Sequence, residues 1–239
     1  MDTLAHVQPD KTPYHFVRNN PQNRIDPDGA LDYPIITITK QKAGTAYQLV
    51  LGQSNVIKAE LYKAVVTDTE DANFRMEFTV TRDAWEDVDG DGVARNTGFE
   101  PKDGKKNHYT AKEMPNGYPN GNGTEALKLT QYGSEEVHAA PNQTAADIGS
   151  RDKLSTAKGI MQHVGGNYEK GGKNSTAASL GCFGVCNPNN SATNQSNNYT
   201  NTVMNKIQNQ AAKSTKNPGK IEVGIQKRTG NEYPDNKNY

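Results

Sequence analysis

Apolar residues recur at every second position in several short runs of this chain, and that period marks half-buried β-strands. In residues 74–82 (FRMEFTVTR), Phe74, Met76, Phe78 and Val80 alternate with polar residues and so share one buried face. Residues 35–39 (IITIT) and 47–51 (YQLVL) flank Lys42-Ala43-Gly44, a pattern that predicts a hairpin. Residues 57–67 predict a longer strand and residues 126–130 a short one, and Ile221, Val223 and Ile225 alternate in a final strand. Between these, Val203, Ile207 and Ala211 recur every fourth residue, which predicts an amphipathic helix over 202–213 that Pro218-Gly219 stops. The pattern as a whole predicts a mainly β fold with minor α: a mixed sheet, barrel-like or sandwich, with one or two short helices.

Two stretches break the pattern. Residues 83–123 are rich in Gly, Asn, Pro and Asp with little periodicity, which predicts an irregular insertion. Residues 187–201 (NPNNSATNQSNNYTN) are polar and low in complexity, which predicts a surface loop. Residues after Gly230 read as a flexible tail. The domain organisation expected is a leading linker over 1–31, one domain over 32–230 containing the 83–123 insertion, and a tail over 231–239.

Composition narrows the function classes. Hydrophobic content is 33% and mean hydropathy is −0.89, so the core must be compact and the loops extensive. The 27 basic and 27 acidic residues cancel, which argues against a nucleic-acid partner. No run of about 18 apolar residues occurs, so no membrane-inserting helix is expected, and the first residues carry no apolar core of a classical signal peptide.

The chemistry concentrates between His163 and Cys182 (HVGGNYEKGGKNSTAASLGC), where a histidine lies nineteen residues ahead of a cysteine. A thiol attacks only as thiolate and needs a nearby base. Gly181, beside it, lets the backbone turn so that amide N–H groups face an oxyanion. His163 would be delivered by a short strand over 159–163. His138, 44 residues before Cys182, is the rival base and ranks second. A cysteine in such a turn is also common as a small buried hydrophobe. The second cysteine, Cys186, is either a bystander or the partner in a strained four-residue disulfide; the first reading is favoured, because a permanent bridge would abolish the nucleophile. A Cys-x3-Cys pair with one histidine offers too few zinc ligands. Asp87, Asp89 and Asp91, with Gly92 at the sixth position, match the start of a calcium loop. Its twelfth position is Gly98 rather than an acid, so an acidic solvated turn is the competing reading.

The spacing of His163, Ser179, Gly181 and Cys182 resembles the His-x(15–18)-Ser-x-Gly-Cys signature of L,D-transpeptidases, cysteine enzymes that cross-link or trim peptidoglycan stem peptides. The resemblance covers roughly residues 137–185. It implies an L,D-transpeptidase-like sheet, Cys182 as nucleophile, His163 as base, and Ser179 hydrogen-bonding across the turn or orienting His163. No cofactor is then required, apart from the calcium that the aspartates would hold. One departure is plain: the family's arginine two residues after the cysteine is Gly184 here. Met114 to Pro119 (MPNGYP) also resembles the Pro-x-Gly-x-Tyr stretch of a small transpeptidase-like group found in phage and secreted bacterial proteins.

Residues 14–29 (YHFVRNNPQNRIDPDG) resemble the closing segment of Rhs/YD-repeat proteins, β-shells whose variable tip is a toxin. Asn20-Pro21 and Asp26-Pro27-Asp28-Gly29 match its order, and Asp26 and Asp28 would belong to the self-cleavage region. The resemblance implies an antibacterial tip carried by a parent Rhs shell and a contact-dependent secretion apparatus such as a type VI system. Such a tip would act in the target-cell periplasm on peptidoglycan stem peptides and would be countered by a cognate immunity protein.

Overall fold

A computed structural model describes residues 33–87, 89–102, 108–114, 125–140, 156–165, 168–170, 173–175, 181–187 and 197–232. The fold is mainly β with minor α, and its centre is a closed eight-stranded barrel. The barrel strands are β1 (Pro34–Leu49), β2 (Val56–Asp68), β3 (Arg75–Thr81), β7 (His108–Glu113), β8 (Leu127–Thr130), β11 (Met161–Val164), β14 (Phe183–Cys186) and β15 (Ile221–Ile225). They run in the order β1-β15-β7-β8-β11-β14-β3-β2. Two neighbouring pairs are parallel, β1 with β15 and β11 with β14, and the other barrel pairs are antiparallel.

Register explains why the alternating residues face inward. Ile38 pairs with Ala64, Ala64 with Phe78, and Val80 with Val185, so apolar positions meet strand after strand. All five belong to one buried cluster with Leu127, Leu129, Phe183, Val223 and Ile225. Each such side chain contributes about 1.5–3 kcal/mol by leaving water. The helix α1 (Asn197–Ala211) adds Val203, Met204, Ile207 and Ala211 to the same cluster. It lies at the barrel end where β1 starts and β2 finishes, tied there by Gln210 Nε2 donating to Asp68 Oδ2 at 3.0 Å. At its N-terminal half, Asn201 Oδ1 accepts the Glu125 amide at 2.7 Å.

The opposite end is filled by side chains of the 82–100 region. The short pair β4 (Trp85–Glu86) and β5 (Arg95–Asn96) buries Trp85 and Ala94 against Val50 and Ile57. Phe99 enters the barrel cluster, and β6 (Glu100–Pro101) pairs with β9 (Glu136–Ala140), which also pairs with β10 (Thr156–Lys158). A separate hairpin joins β12 (Tyr168–Lys170) and β13 (Lys173–Ser175).

Four expectations change. Residues 35–51 hold no hairpin: β1 runs through Lys42-Ala43-Gly44 as one strand, paired with β2 on both sides of it. The chain bends there through register shifts between Ile38 and Gly44, and Gly44, at φ 137°, takes a backbone angle that a side chain would oppose. The 83–123 segment is not simply irregular, since it contributes the barrel strand β7, whose Tyr109 and Ala111 face the core. The polar 187–201 stretch supplies the first turn of α1, where Thr200 is buried and Tyr199 packs against the core. The tail starts later than Asn231: residues 230–232 form a 3-10 turn, and Glu232 pairs with Lys40 and accepts the Thr229 amide. Residues 233–239 lie outside the described residues.

Candidate functional site

His163 and Cys182 are brought together by the parallel pair of β11 and β14. His163 pairs with Gly184, and Cys182 lies two residues before Gly184, immediately ahead of β14. Cys182 stands just ahead of the paired stretch, which opens at Gln162 and Phe183, so the register brings its backbone beside the start of β11, the strand that carries His163. Phe183 and Val185, on the alternate positions, face the barrel core. His163 is only 7% exposed and Cys182 is partly exposed, so the imidazole is sheltered while the thiol is reachable.

The thiol is a hydrogen-bond donor in this arrangement: Cys182 Sγ points to the Gly159 carbonyl at 3.6 Å. Gly159, at φ 75°, makes the turn from β10 into β11, so one turn both aims this carbonyl and launches the strand that carries His163. Gly181 has φ 115°, a left-handed backbone conformation that favours glycine, just before Cys182.

Gly184 has a structural reason. A Cβ there would lie 2.9 Å from Thr81 Oγ1 and 3.0 Å from the Gly165 Cα, and the Thr81 hydroxyl accepts the Gly184 amide at 2.9 Å. Strand β3 and the end of β11 therefore occupy the space into which an arginine at this position would grow.

Cys186 is a bystander packed with Ala46 and Leu61, and its thiol donates to the Gly184 carbonyl at 3.5 Å. Burial pushes that thiol up to about 12. A Cys182–Cys186 disulfide is excluded by geometry, because four residues of extended strand span about 13 Å and a disulfide needs Cα atoms within about 7 Å. His138 sits on β9, pairs with Thr156, and its Nδ1 is 2.7 Å from Gln131 Oε1, a partner that already fixes one ring nitrogen. Ser179, Asp26, Asp28 and residues 115–119 lie outside the described residues.

The carboxylates of Asp87, Asp89 and Asp91 do converge, with oxygens within 4.8 Å of one another. They carry their own cation: Arg95 bonds Asp89 at 2.8 Å and Asp91 at 2.6 Å. This pairing, with the Val93 amide, holds the Asp91 carboxyl at about 2. Calcium would have to displace Arg95 or add outside it. Glu100, the acid two residues beyond Gly98, is fully buried and turned to other partners.

Glu100 belongs instead to an ion network that sequence reading missed. It accepts Arg228 Nε at 2.6 Å and Arg82 Nη2 at 3.3 Å, while Asp83 Oδ1 accepts Arg228 Nη1 at 2.7 Å. Both guanidinium groups lie over the Tyr62 ring, 5.5 and 5.0 Å from its centre, and the Tyr62 hydroxyl accepts Arg228 Nη1 at 2.8 Å. Burial, then the Asp83 carboxylate, raises the Tyr62 hydroxyl well above its ordinary value. Its members are up to 166 residues apart in the chain, as in the Tyr62–Arg228 bond, so no local motif announces them.

Compared with known protein families, curated proteins and solved structures, the chain finds no match.

Proposed function

We propose that this protein is the toxin tip of an Rhs-type polypeptide and acts on peptidoglycan stem peptides by Cys–His acyl transfer, as an L,D-transpeptidase or L,D-carboxypeptidase. The observation that supports the chemistry is the β11–β14 register, which brings the strand of a sheltered His163 beside the segment of a partly exposed Cys182. The substrate class rests on the His163-Ser179-Gly181-Cys182 motif and the delivery route on the Asn20-to-Gly29 segment.

When it carries a proton, the Cys182 thiol donates it to the Gly159 carbonyl. A carbonyl cannot take that proton, so attack needs a true base, and His163 is the candidate. His163 removes the proton, and the thiolate sulfur bonds to the carbonyl carbon of the stem peptide. Backbone amides at the Gly181 turn support the oxyanion. Collapse breaks the peptide bond, and the departing amine of the terminal D-amino acid takes the proton from His163. The resulting thioester is resolved by a second amine, giving exchange or cross-linking, or by water, giving trimming. The reaction would proceed in the target-cell periplasm after contact-dependent secretion, and a producing cell would need an immunity protein that covers Cys182.

One observation favours a second reading. Position 184 has no room for the family's arginine, so the same Cys–His pair could serve an amidohydrolase or protease with another substrate, or survive in a non-catalytic wall-binding tip. The deciding experiment incubates purified peptidoglycan with the wild type and with Cys182→Ala. Loss or exchange of the terminal D-amino acid only with the intact cysteine supports the first reading. An unchanged profile beside a reactive thiol favours another amide substrate, and an unreactive thiol favours the binding tip.

A further inference from the structure

Cys182 stands just outside the β14 ladder, whose pairing with β11 begins at Phe183. Phe99 meets both chain neighbours of Cys182. A Cβ at Gly181 would lie 3.4 Å from the Phe99 amide nitrogen and 3.7 Å from the Phe99 Cβ, so the two backbones are in close contact. On the other side the Phe183 ring stands edge-on to the Phe99 ring, with centroids 6.0 Å apart at 77°.

Phe99 is itself fixed by the residues before and after it. At Gly98 a Cβ would come within 2.2 Å of the Arg82 carbonyl, an approach that only glycine allows. Glu100 is fully buried and bonded to Arg82 and Arg228. Three consecutive residues thus provide a close approach, a clamp and an anchor. We infer that Phe99 is a positioning residue for Cys182, held to its task by the buried Arg82–Glu100–Arg228 network. This rests on the acyl-transfer reading. If Phe99 moves, Gly181 and Phe183 move with it, and the thiol leaves its place relative to Gly159 and His163.

The test is the pH dependence of Cys182 alkylation by iodoacetamide on the full chain, with the labelled cysteine located by peptide mass. An ordinary thiol, ionising near 8.5, reacts about 240-fold faster at pH 9 than at pH 6. The wild type is expected to differ by less than about 10-fold. Phe99→Leu keeps apolar bulk in the core and is expected to widen that ratio at least about fivefold while unfolding cooperatively. Phe78→Leu is the control: it lightens the same core from β3 and is expected to lower stability without moving the ratio. An unchanged ratio in Phe99→Leu, or an equal change in Phe78→Leu, overturns the inference and leaves the acyl-transfer reading intact. A wild-type ratio near about 240 overturns both.

Discussion

Removing the Glu100 carboxylate should be among the most damaging single changes this fold can suffer. The residue is fully buried, as are Arg82 and Arg228, and Asp83 is 1% exposed. With two arginines and two acids these four residues balance in charge, and among the described residues Glu100 alone is the acid bonded to both arginines. Glu100→Ala would leave one buried positive charge uncompensated and would also free the Arg228 amide, which Glu100 Oε2 accepts at 3.3 Å. Breaking a buried pair in this way costs about 3–5 kcal/mol, a large share of the 5–15 kcal/mol typical of a domain. With a urea slope of about 2–3 kcal/mol/M, the midpoint should fall by roughly 1–2.5 M. The compensating variant is Glu100→Met with Arg82→Met. That change removes one charge of each sign and leaves the Arg228–Asp83 pair. It should therefore cost clearly less than Glu100→Met alone, with a coupling of about 1–3 kcal/mol in a double-mutant cycle. A loss below about 1 kcal/mol for Glu100→Ala, or strictly additive effects in the cycle, would refute the reasoning.

His108 lies over Gly224, and burial holds its ring down at about 4. Its folded value is below the ordinary 6.5, so its contribution is complete above about pH 6.5 and is lost as pH falls toward 4. The difference is worth at most about 3 kcal/mol, and because the ring is partly exposed, solvent screening leaves about 1–2 kcal/mol. His108→Gln should accordingly lose less Tm than the wild type between pH 7 and pH 4.5; parallel losses would contradict this. Gly184→Arg, which restores the transpeptidase pattern, should destabilise the fold by at least about 2 kcal/mol through overpacking against Thr81 and Gly165; a variant with wild-type Tm would show that β3 yields easily. Arg95→Gln should leave the Asp87, Asp89 and Asp91 carboxylates without their internal cation, so millimolar calcium should raise its Tm more than it raises that of the wild type. Equal responses would mean that Arg95 does not compete for that site.

Much of the barrel was legible in the sequence because most of its strands have one wet and one dry face. Phe78 and Val80, or Ile221, Val223 and Ile225, declare the inward side by period alone. Strand β7 escaped notice because its inward residues are only Tyr109 and Ala111, set among lysines and asparagines. The bend at Gly44 was mistaken for a hairpin turn because a glycine that accommodates a register shift looks the same in sequence as one that reverses the chain. At the site, His163, Gly181 and Cys182 stand out as candidates from local order alone, since one chain segment carries them all. The parallel pairing that joins them, the lack of space at residue 184, and the Phe99 contact depend on β3, β11 and residues 98–100 meeting in space. The Arg82–Asp83–Glu100–Arg228 network was hidden for the same reason: charged residues normally face water, and only the closed barrel makes these four pay for burial by pairing.

The central claim is acyl transfer by Cys182 with His163 as its base. Its most direct test is the muropeptide profile of peptidoglycan treated with the wild type, Cys182→Ala and His163→Ala, each first shown to be folded. Loss or exchange of the terminal D-amino acid is expected with the wild type alone. An unchanged profile from folded wild type, or full activity in His163→Ala, would contradict it.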